Sequence, residues 1–257
     1  MSLNFCFIGA GNLAGQLSKA FHDKGFRISQ VYSRTENSAK SLAQQFSANY
    51  TTSLNEINES ADIYFITIKD SVFEEVLPKI NFNNKLVVHC SGSLPLSVLE
   101  KCSENTGVFY PLQTFSKNRK VDFSEIPVFI EANSVKNEKI LLEIARQISG
   151  SVEVTDSERR KTLHVSAVFA CNFVNYFYTI AADILKSKEI PFDVLKPLIT
   201  ETAKKVQEMV PEKAQTGPAI RFDENIIYEH CKELNSFPEY QQLYMSISKS
   251  IFDRYNK

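Results

Sequence analysis

FCFIGAGNLAG, residues 5–15, is the stretch that decides the fold of this 257-residue chain. It places the pattern G-x-G-x-x-A directly after an apolar strand and at the start of a helical segment. Gly9 permits the tight strand-to-helix turn, and Gly11 removes the side chain where a pyrophosphate approaches the backbone. The first helical turn, which begins with Asn12 and Leu13, offers unpaired N–H groups and a partial positive charge to phosphates. The stretch therefore predicts a dinucleotide-binding βα unit.

The loop after the second predicted strand indicates which dinucleotide binds. A site for NAD commonly carries Asp or Glu about 20 residues after the glycines, where the carboxylate holds the ribose 2′-hydroxyl. In this chain Ser33, Arg34 and Thr35 follow the strand, and the first carboxylate, Glu36, is expected to begin the next helix. Arg34 can pair with a 2′-phosphate, to which the hydroxyls of Ser33 and Thr35 can donate. The sequence predicts NADP(H) rather than NAD; the alternative is that Arg34 is a solvated loop charge.

Two more loops that follow predicted strands carry candidate cofactor contacts, because the carboxyl ends of strands form the ligand crevice in open α/β sheets. The candidate residues are Thr67, Ile68, Ser91 and Gly92. Ser91 and Gly92 are expected on the nicotinamide side of the bound cofactor. Asp70 either caps the following helix or has a functional role. His89 is isolated, which favours a hydrogen-bonded structural residue.

Strand signals alternate with helical segments in the first part of the chain and then stop. The predicted strands are Leu3–Ile8, Arg27–Tyr32, Ile63–Thr67, Leu86–His89, Gly107–Tyr110, Val128–Glu131 and Val152–Val154. This alternation favours βαβ units and a mainly parallel sheet. The predicted fold class is a Rossmann α/β domain, with a doubly wound, mainly parallel sheet, over residues 1–154. An all-α domain is predicted over residues 155–257.

The all-α part is expected to begin with a long helix. Thr155 and Glu158 have the spacing of a capping box, which predicts the start of that helix. Apolar residues at 4–3 spacing run from Leu163 to Ile184, with a second apolar stripe beside them, so the helix is expected to be central and largely buried. Further helices are predicted at about 193–208, 224–234 and 239–254.

A narrow polar strip interrupts the apolar surface of the long helix. At helical period it comprises His164, Cys171, Asn175 and Tyr178, with Asn172 beside it. One interpretation is a catalytic substrate pocket in which His164 donates a proton and Asn172 and Asn175 orient the substrate. The alternative is a polar seam between helices or subunits, whose groups satisfy one another.

Composition excludes several classes of protein. The net charge of −1 gives no overall field for nucleic acid or anionic lipid. We expect no signal peptide and no membrane association, because no basic, apolar leader is visible and no apolar stretch approaches the ~20 residues of a membrane span. The five cysteines are scattered without a CxxC pair, which indicates reduced thiols, no metal site and a cytoplasmic protein.

Five segments together resemble one family from end to end. They are GAGNLAG at 9–15, HCSGSLPLSVL at 89–99, GVFYPLQTF at 107–115, TLHVSAVFACNFVN at 162–175 and TGPAIRFD at 216–223. The family has a Rossmann-like domain of the deazaflavin-dependent NADP oxidoreductase type, followed by a helical domain of unassigned function. The resemblance implies a homodimer formed through the helical domain, without an assigned reaction. The family pattern has glycine where this chain has Phe222.

More distantly, the layout is similar to pyrroline-5-carboxylate reductase and the β-hydroxyacid dehydrogenases. The latter place a catalytic lysine in the long helix about one turn before an asparagine. Here Val168 stands one turn before Asn172, and no lysine occurs between Thr162 and Leu185. The sequence therefore does not support that dehydrogenase mechanism.

The patterns predict an NADP(H)-dependent oxidoreductase that transfers a hydride to or from a small polar carbonyl or imine substrate. The cofactor carries the hydride, while the protein orients the reactants and supplies a proton. The alternative is an NADP-binding sensor or scaffold without turnover, which the missing lysine and the lack of a strong acid–base pair favour. A reduced deazaflavin as hydride partner is suggested by the resemblance alone.

Overall fold

The computed structural model describes residues 3–82, 84–117 and 119–256. The chain forms two compact units, Met1–Cys171 and Asn172–Lys257. The sequence placed the domain boundary after residue 154. The first unit extends further because the start of the long helix is bonded to the sheet.

The first unit contains one sheet of eight described strands. They are β1 Asn4–Ile8, β2 Arg27–Tyr32, β3 Asn49–Thr51, β4 Ile63–Ile66, β5 Leu86–His89, β6 Asn105–Pro111, β7 Val128–Ala132 and β8 Val152–Val154. Their order is β3-β2-β1-β4-β5-β6-β7-β8, and all neighbours are parallel except β6 and β7. Sequence reasoning missed β3, a three-residue edge strand with two exposed residues that carries no apolar alternation.

Five helices pack on this sheet or extend from it. They are α1 Asn12–Asp23, α2 Glu36–Ala43, α3 Phe73–Val76, α4 Val135–Ile148 and α5 Ser157–Ala167. An aromatic cluster holds α1 against the sheet. Phe21 of α1 contacts Phe5 of β1 in an edge-to-face arrangement, with ring centroids 5.0 Å apart. Both side chains are fully buried, and burying a phenylalanine stabilises a fold by roughly 1.5–3 kcal/mol. This packing sets the glycine turn at the carboxyl end of β1.

Helix α5 begins one residue later than the capping-box pattern predicted. The Asp156 side chain accepts from the Arg159 backbone N–H at 2.7 Å and caps the helix, so Thr155 is not the cap. A carboxylate at the helix N-terminus is favoured by the helix dipole as well as by this hydrogen bond.

The second unit is helical. It contains α6 Val174–Lys186, α7 Lys196–Glu208, α8 Pro211–Ala214, α9 Pro218–Arg221, α10 Glu224–Glu233 and α11 Pro238–Tyr255. Asp223 caps α10 through the Ile226 backbone N–H, as its position suggested. The four-residue helices α8 and α9 were not predicted, because one helical turn is too short to show periodicity.

Phe222 follows α9 in a left-handed conformation, with φ 48° and ψ 53°. This region favours glycine, which is the residue that the family resemblance places here. The ring of Phe222 packs against Phe252 of α11, with centroids 5.2 Å apart. The packing offsets the backbone cost of a bulky residue at this position.

The expectation that the long helix is largely buried is wrong for a single chain. Among residues 157–186, Arg160 is the buried residue, whereas Val165 and Phe169 are 56% and 64% exposed.

Ser157–Lys186 is also long and apolar enough to cross a membrane, with a mean hydropathy of 1.3 over an 18-residue window. The expectation that no apolar stretch approaches the length of a membrane span is therefore wrong. A helix that packs against protein can have the same length and composition, so this property is weak evidence for a membrane.

Candidate functional site

A cavity of about 200 Å³ lies at the carboxyl ends of β1, β2 and β4. Six of the predicted cofactor residues line it: Gly9, Gly11, Ser33, Arg34, Thr67 and Ile68. Tyr32, Ser38 and Lys69 also line it and were not predicted. Among the described lining residues the charged ones are Arg34 and Lys69, so the cavity suits an anionic group.

The two glycines of the turn have different structural reasons. Gly9 has φ 120°, and a β-carbon there would lie 2.6 Å from the carbonyl oxygen of Thr67. Its N–H donates to the Tyr32 carbonyl at 2.8 Å, so the turn is fixed against the second strand. At Gly11 a β-carbon would meet no atom within 4 Å. The missing side chain at Gly11 therefore leaves space that the protein itself does not use.

The loop after β2 carries the residues predicted to hold the 2′-phosphate. Arg34 is exposed, and Ser33 accepts from the Thr35 backbone N–H at 3.3 Å. Thr35 occupies the N-cap of α2 and does not line the cavity, whereas Ser38 in the first turn of α2 does. A small polar residue in the first helical turn after an Arg was the signal that could have identified Ser38.

Asn12 and Leu13 do not line the cavity that Gly9 and Gly11 line. Asn12 lines a neighbouring cavity of about 520 Å³, together with Lys117 and Lys120. Its side-chain amide donates to the Phe115 carbonyl at 3.0 Å, which fastens the loop after β6 over the start of α1. Leu13 packs against the apolar core, so it can offer a ligand its backbone N–H alone.

Ser91 shapes the loop that follows β5. Its hydroxyl donates to Asp70 at 2.7 Å and accepts from the backbone N–H groups of Ser93 and Leu94 at 3.0 and 3.1 Å. Asp70 therefore accepts a hydrogen bond from Ser91 and does not cap the short helix that follows. Asp70 is the first residue of that helix, and Lys69 occupies its N-cap position. The Ser91 hydroxyl is therefore hydrogen-bonded to other residues of the protein. The same bonds fix the position of Gly92 at the carboxyl end of β5.

His89 is a structural residue. It is fully buried, and its Nδ1 accepts from the Ser91 backbone N–H at 3.1 Å. Burial, together with the nearby charge of Arg160, lowers the pKa of His89 to about 3. The imidazole is therefore neutral at physiological pH and holds the loop through its lone pair.

His164 lies against this loop. Its Nδ1 is 3.0 Å from the hydroxyl of Tyr110 on β6. A β-carbon at Gly92 would lie 2.6 Å from both Cγ and Nδ1 of His164, so only glycine leaves room for the ring. Burial raises the pKa of Tyr110 to about 12, although the charge of Arg160 opposes this rise. The pair places an imidazole and a phenol beside the loop predicted to face the nicotinamide.

Arg160 holds the loop and was missed by sequence reasoning. Its fully buried guanidinium pairs with Glu131 of β7 and donates to the backbone carbonyls of Ser91 and Leu94. It stands four residues before His164, and residues at that spacing share a helix face. The sequence signal that could have identified Arg160 was a charged residue four positions before His164 on an otherwise apolar helix.

Asn172 and Asn175 lie outside the first unit, so the orienting role predicted for them stays a prediction. Both are exposed and belong to the second unit. Val168–Phe173 is a π-helical turn, which breaks the 3.6-residue period on which the predicted polar strip depended. The single continuous strip was therefore a wrong prediction. In the described part of the chain, no group of three or more His, Cys, Asp or Glu side chains could hold a metal ion.

Two family models match the chain in succession. One is described as "NADP oxidoreductase coenzyme F420-dependent" and matches residues 4–92. The other, "Domain of unknown function (DUF2520)", matches residues 126–251. A crystal structure of a "putative NADP oxidoreductase" from Bacteroides fragilis is 51% identical, with a TM-score of 0.94, and 98% of each chain is covered. The chain belongs to this NADP oxidoreductase family.

Two other proteins extend the comparison. "Putative pyrroline-5-carboxylate reductase 4" of Caenorhabditis elegans is 28% identical over 167 residues, which are 60% of this chain and 56% of the worm protein. The chain thus spans just over half the length of that relative. An imine reductase from Myxococcus stipitatus in complex with NADP⁺ is 14% identical, with a TM-score of 0.65 and coverage of 97% and 92%. At that identity the likeness shows the fold alone.

The family membership agrees with the residues that line the cavity after β1. Gly9, Gly11 and Arg34 line this cavity and are of the residue types that hold the pyrophosphate and 2′-phosphate of NADP, so their contacts with a cofactor stay a prediction. The 51% identical structure and the eight-stranded sheet confirm the expected family and fold class.

Proposed function

We propose that this chain is an NADP(H)-dependent reductase that acts on the C=N or C=O bond of a small polar substrate. The observation that carries the proposal is the Tyr110–His164 pair, held against Gly92 at the edge of the sheet that also bears the cofactor cavity. A binding protein without turnover has no need of a tyrosine–histidine pair beside the loop predicted to face the nicotinamide.

The residues of the cavity suit NADP(H). Gly11 leaves open space for the pyrophosphate, while Arg34 and Ser38 can hold the 2′-phosphate. The bound dinucleotide supplies the hydride. Lys69 adds a second positive charge to the same cavity, and NAD offers no 2′-phosphate to balance these charges.

His164 supplies the proton in this proposal. When hydride reaches the carbon, the π electron pair moves to the nitrogen or oxygen, which must gain a proton. An imidazole is suited to this transfer near neutral pH. Gly92 keeps the ring in place because its backbone forms one wall of the contact.

The test has two stages. Calorimetric titration with NADPH and NADH establishes the cofactor, and NADPH oxidation is then followed with a panel of cyclic imines and small ketones. We expect saturable oxidation that His164→Gln reduces by about 10²–10⁴-fold, with NADPH affinity unchanged. Binding of NADPH with no hydride transfer from 4-deuterated NADPH to any acceptor, including a deazaflavin, would favour the sensor or scaffold.

We also propose that a second copy of this chain covers the exposed face of the long helix. Val165 and Phe169 are exposed on the part of the helix that belongs to the first unit, and Phe173, Tyr176 and Phe177 are exposed on the part that belongs to the second unit. A fully covered aromatic ring buries ~150–250 Å², so the four half-exposed aromatic side chains contribute on the order of 400 Å². This is about half of the ~800 Å² that each partner buries in a standard interface.

A homodimer fits this surface better than a bilayer does. Arg160 lies on the same helix and is fully buried in an ion pair with Glu131, so the start of the helix is fixed to the sheet.

We also propose that the protein works in the cytoplasm. All five cysteine thiols are free, which supports this proposal.

A further inference from the structure

The two ring nitrogens of His164 have different surroundings. Nδ1 lies 3.0 Å from the Tyr110 hydroxyl, whereas Nε2 makes no hydrogen bond with the described residues. Tyr110 is 7% exposed, and His164 is half-buried. The phenol therefore lies beneath the imidazole, and the imidazole is the more accessible member of the pair.

The direction of the Tyr110–His164 hydrogen bond follows from the donors available. A neutral imidazole has one N–H and one lone pair, and the partner of one nitrogen decides where the proton resides. The pKa of Tyr110 is about 12 because the phenol is buried, so its hydroxyl keeps its proton at physiological pH. An imidazole lone pair is a better acceptor than a phenol oxygen, which favours donation from Tyr110 to Nδ1.

We propose that Tyr110 is a positioning residue whose hydroxyl donates to Nδ1 of His164, so that Nε2 carries the N–H and presents it to the substrate. The role in catalysis rests on the proposed reductase function. The tautomer itself does not, because it is a property of the free protein.

Every proton and electron pair in the proposed reduction has a source and a destination. Hydride forms the new C–H bond, and the π pair becomes a lone pair on the substrate nitrogen or oxygen. That atom takes the Nε2 proton, while Nδ1 takes the Tyr110 proton, so the imidazole stays neutral. The negative charge resides on the Tyr110 oxygen, where burial disfavours it and the charge of Arg160 offsets part of that cost, until solvent returns a proton.

The experiment is ¹⁵N NMR of histidine-labelled full-length protein, at a pH well above the ordinary imidazole pKa of about 6.5. His164→Gln assigns the resonances of His164. We expect an unprotonated Nδ1 that accepts a hydrogen bond and a protonated Nε2. In Tyr110→Phe, the Nδ1 resonance should move to the position of an unbonded nitrogen. A protonated Nδ1 in the wild type, or an unchanged spectrum in the variant, overturns the proposal.

The chain contains a matched control for this measurement. Tyr244 and His230 form a second pair, with the hydroxyl 2.8 Å from Nδ1. Tyr244→Phe should move the His230 resonances and leave those of His164 in place. If Tyr110→Phe does not fold, Gly92→Ala provides the second probe, since its methyl group would displace the His164 ring from Tyr110 and give the same loss of the bond.

Kinetics separate this inference from the proposed function. With a substrate in hand, Tyr110→Phe should lower kcat by about 10–100-fold, less than the 10²–10⁴ of a lost general acid, with KM within twofold. An unchanged kcat overturns the positioning role of Tyr110. If no substrate is turned over but the tautomer is fixed as expected, the reductase function fails and the inferred hydrogen bond stands.

Discussion

Arg160 and Glu131 form an ion pair that joins the start of helix α5 to strand β7. The Arg160 side chain is fully buried, and the Glu131 side chain is 16% exposed. The same guanidinium donates to the carbonyls of Ser91 and Leu94, and Ser157 donates to the Glu131 carboxylate at 2.9 Å. One buried charge thereby fixes the helix that bears His164 and the loop that bears Gly92.

Replacing Arg160 should destabilise the protein strongly. Arg160→Met leaves the Glu131 carboxylate largely buried without its partner, and breaking a buried pair costs about 3–5 kcal/mol. Urea unfolding measures the change in free energy. Arg159→Met is the matched control, because this neighbouring side chain is exposed and should change stability by less than about 0.5 kcal/mol. Equal stability of the two variants would contradict the role given to the pair.

Arg34 should decide the preference for NADPH. Arg34→Ala removes a charged donor to the 2′-phosphate, and hydrogen bonds to charged groups contribute about 1.5–3 kcal/mol. NADPH affinity should fall by about 10–100-fold, while NADH affinity stays within twofold. Titration calorimetry at fixed salt measures both. The control is Arg27→Ala, which removes an exposed charge at the start of β2 and should leave the ratio of NADPH to NADH affinity unchanged. An equal loss of affinity for both cofactors in Arg34→Ala would argue against a 2′-phosphate contact.

The two glycines of the β1–α1 turn should separate stability from binding. Gly11→Ala meets open space, so the melting temperature should change little while NADPH binding weakens at least tenfold. Gly9→Ala should lower stability by itself, because φ is 120° and the new methyl group meets the Thr67 carbonyl at 2.6 Å. Thermal unfolding and titration on both variants test this. Normal NADPH affinity in Gly11→Ala would place the pyrophosphate elsewhere.

His89 should make stability depend on pH. Its pKa in the folded protein is about 3, below the value of about 6.5 for an unfolded histidine. The unfolded chain therefore binds the extra proton first, so stability is complete above pH 6.5 and falls as the pH drops toward 3. His89→Asn should flatten this fall between pH 6.5 and 4.5, measured by urea unfolding. His22→Asn, at an exposed histidine, should retain the wild-type slope; a wild-type slope in His89→Asn would disprove the assignment.

The apolar face of the long helix should be needed for self-association. Phe169→Glu places a charge in the proposed interface, where it would have to be buried without a partner. Sedimentation velocity should show a dimer for the wild type and a monomer for the variant. Val135→Glu is the control, because Val135 is 70% exposed on α4 of the first unit and should leave the dimer intact. A monomeric wild type at micromolar concentration would exclude the interface.

Local patterns determined the cofactor half of this protein. The glycine turn depends on residues 9–14, which are close in sequence, and Arg34 follows directly from the end of β2. The apolar runs that form the buried strands are also local. For the same reason, the Asp223 cap could be expected from the sequence, since a cap needs only a backbone N–H three residues away.

Only the tertiary structure decided which side chains meet at the candidate catalytic centre. Tyr110 and His164 are 54 residues apart, and Arg160 reaches Glu131 across 29 residues. No periodicity within one helix encodes such contacts, because they depend on which strands are neighbours in the sheet. The π-helical turn at 168–173 changed the register of the helix, and the exposure of its apolar face became visible only when the chain was folded. Sequence fixes what each segment can form by itself, whereas packing between distant segments determines the neighbours of each polar group.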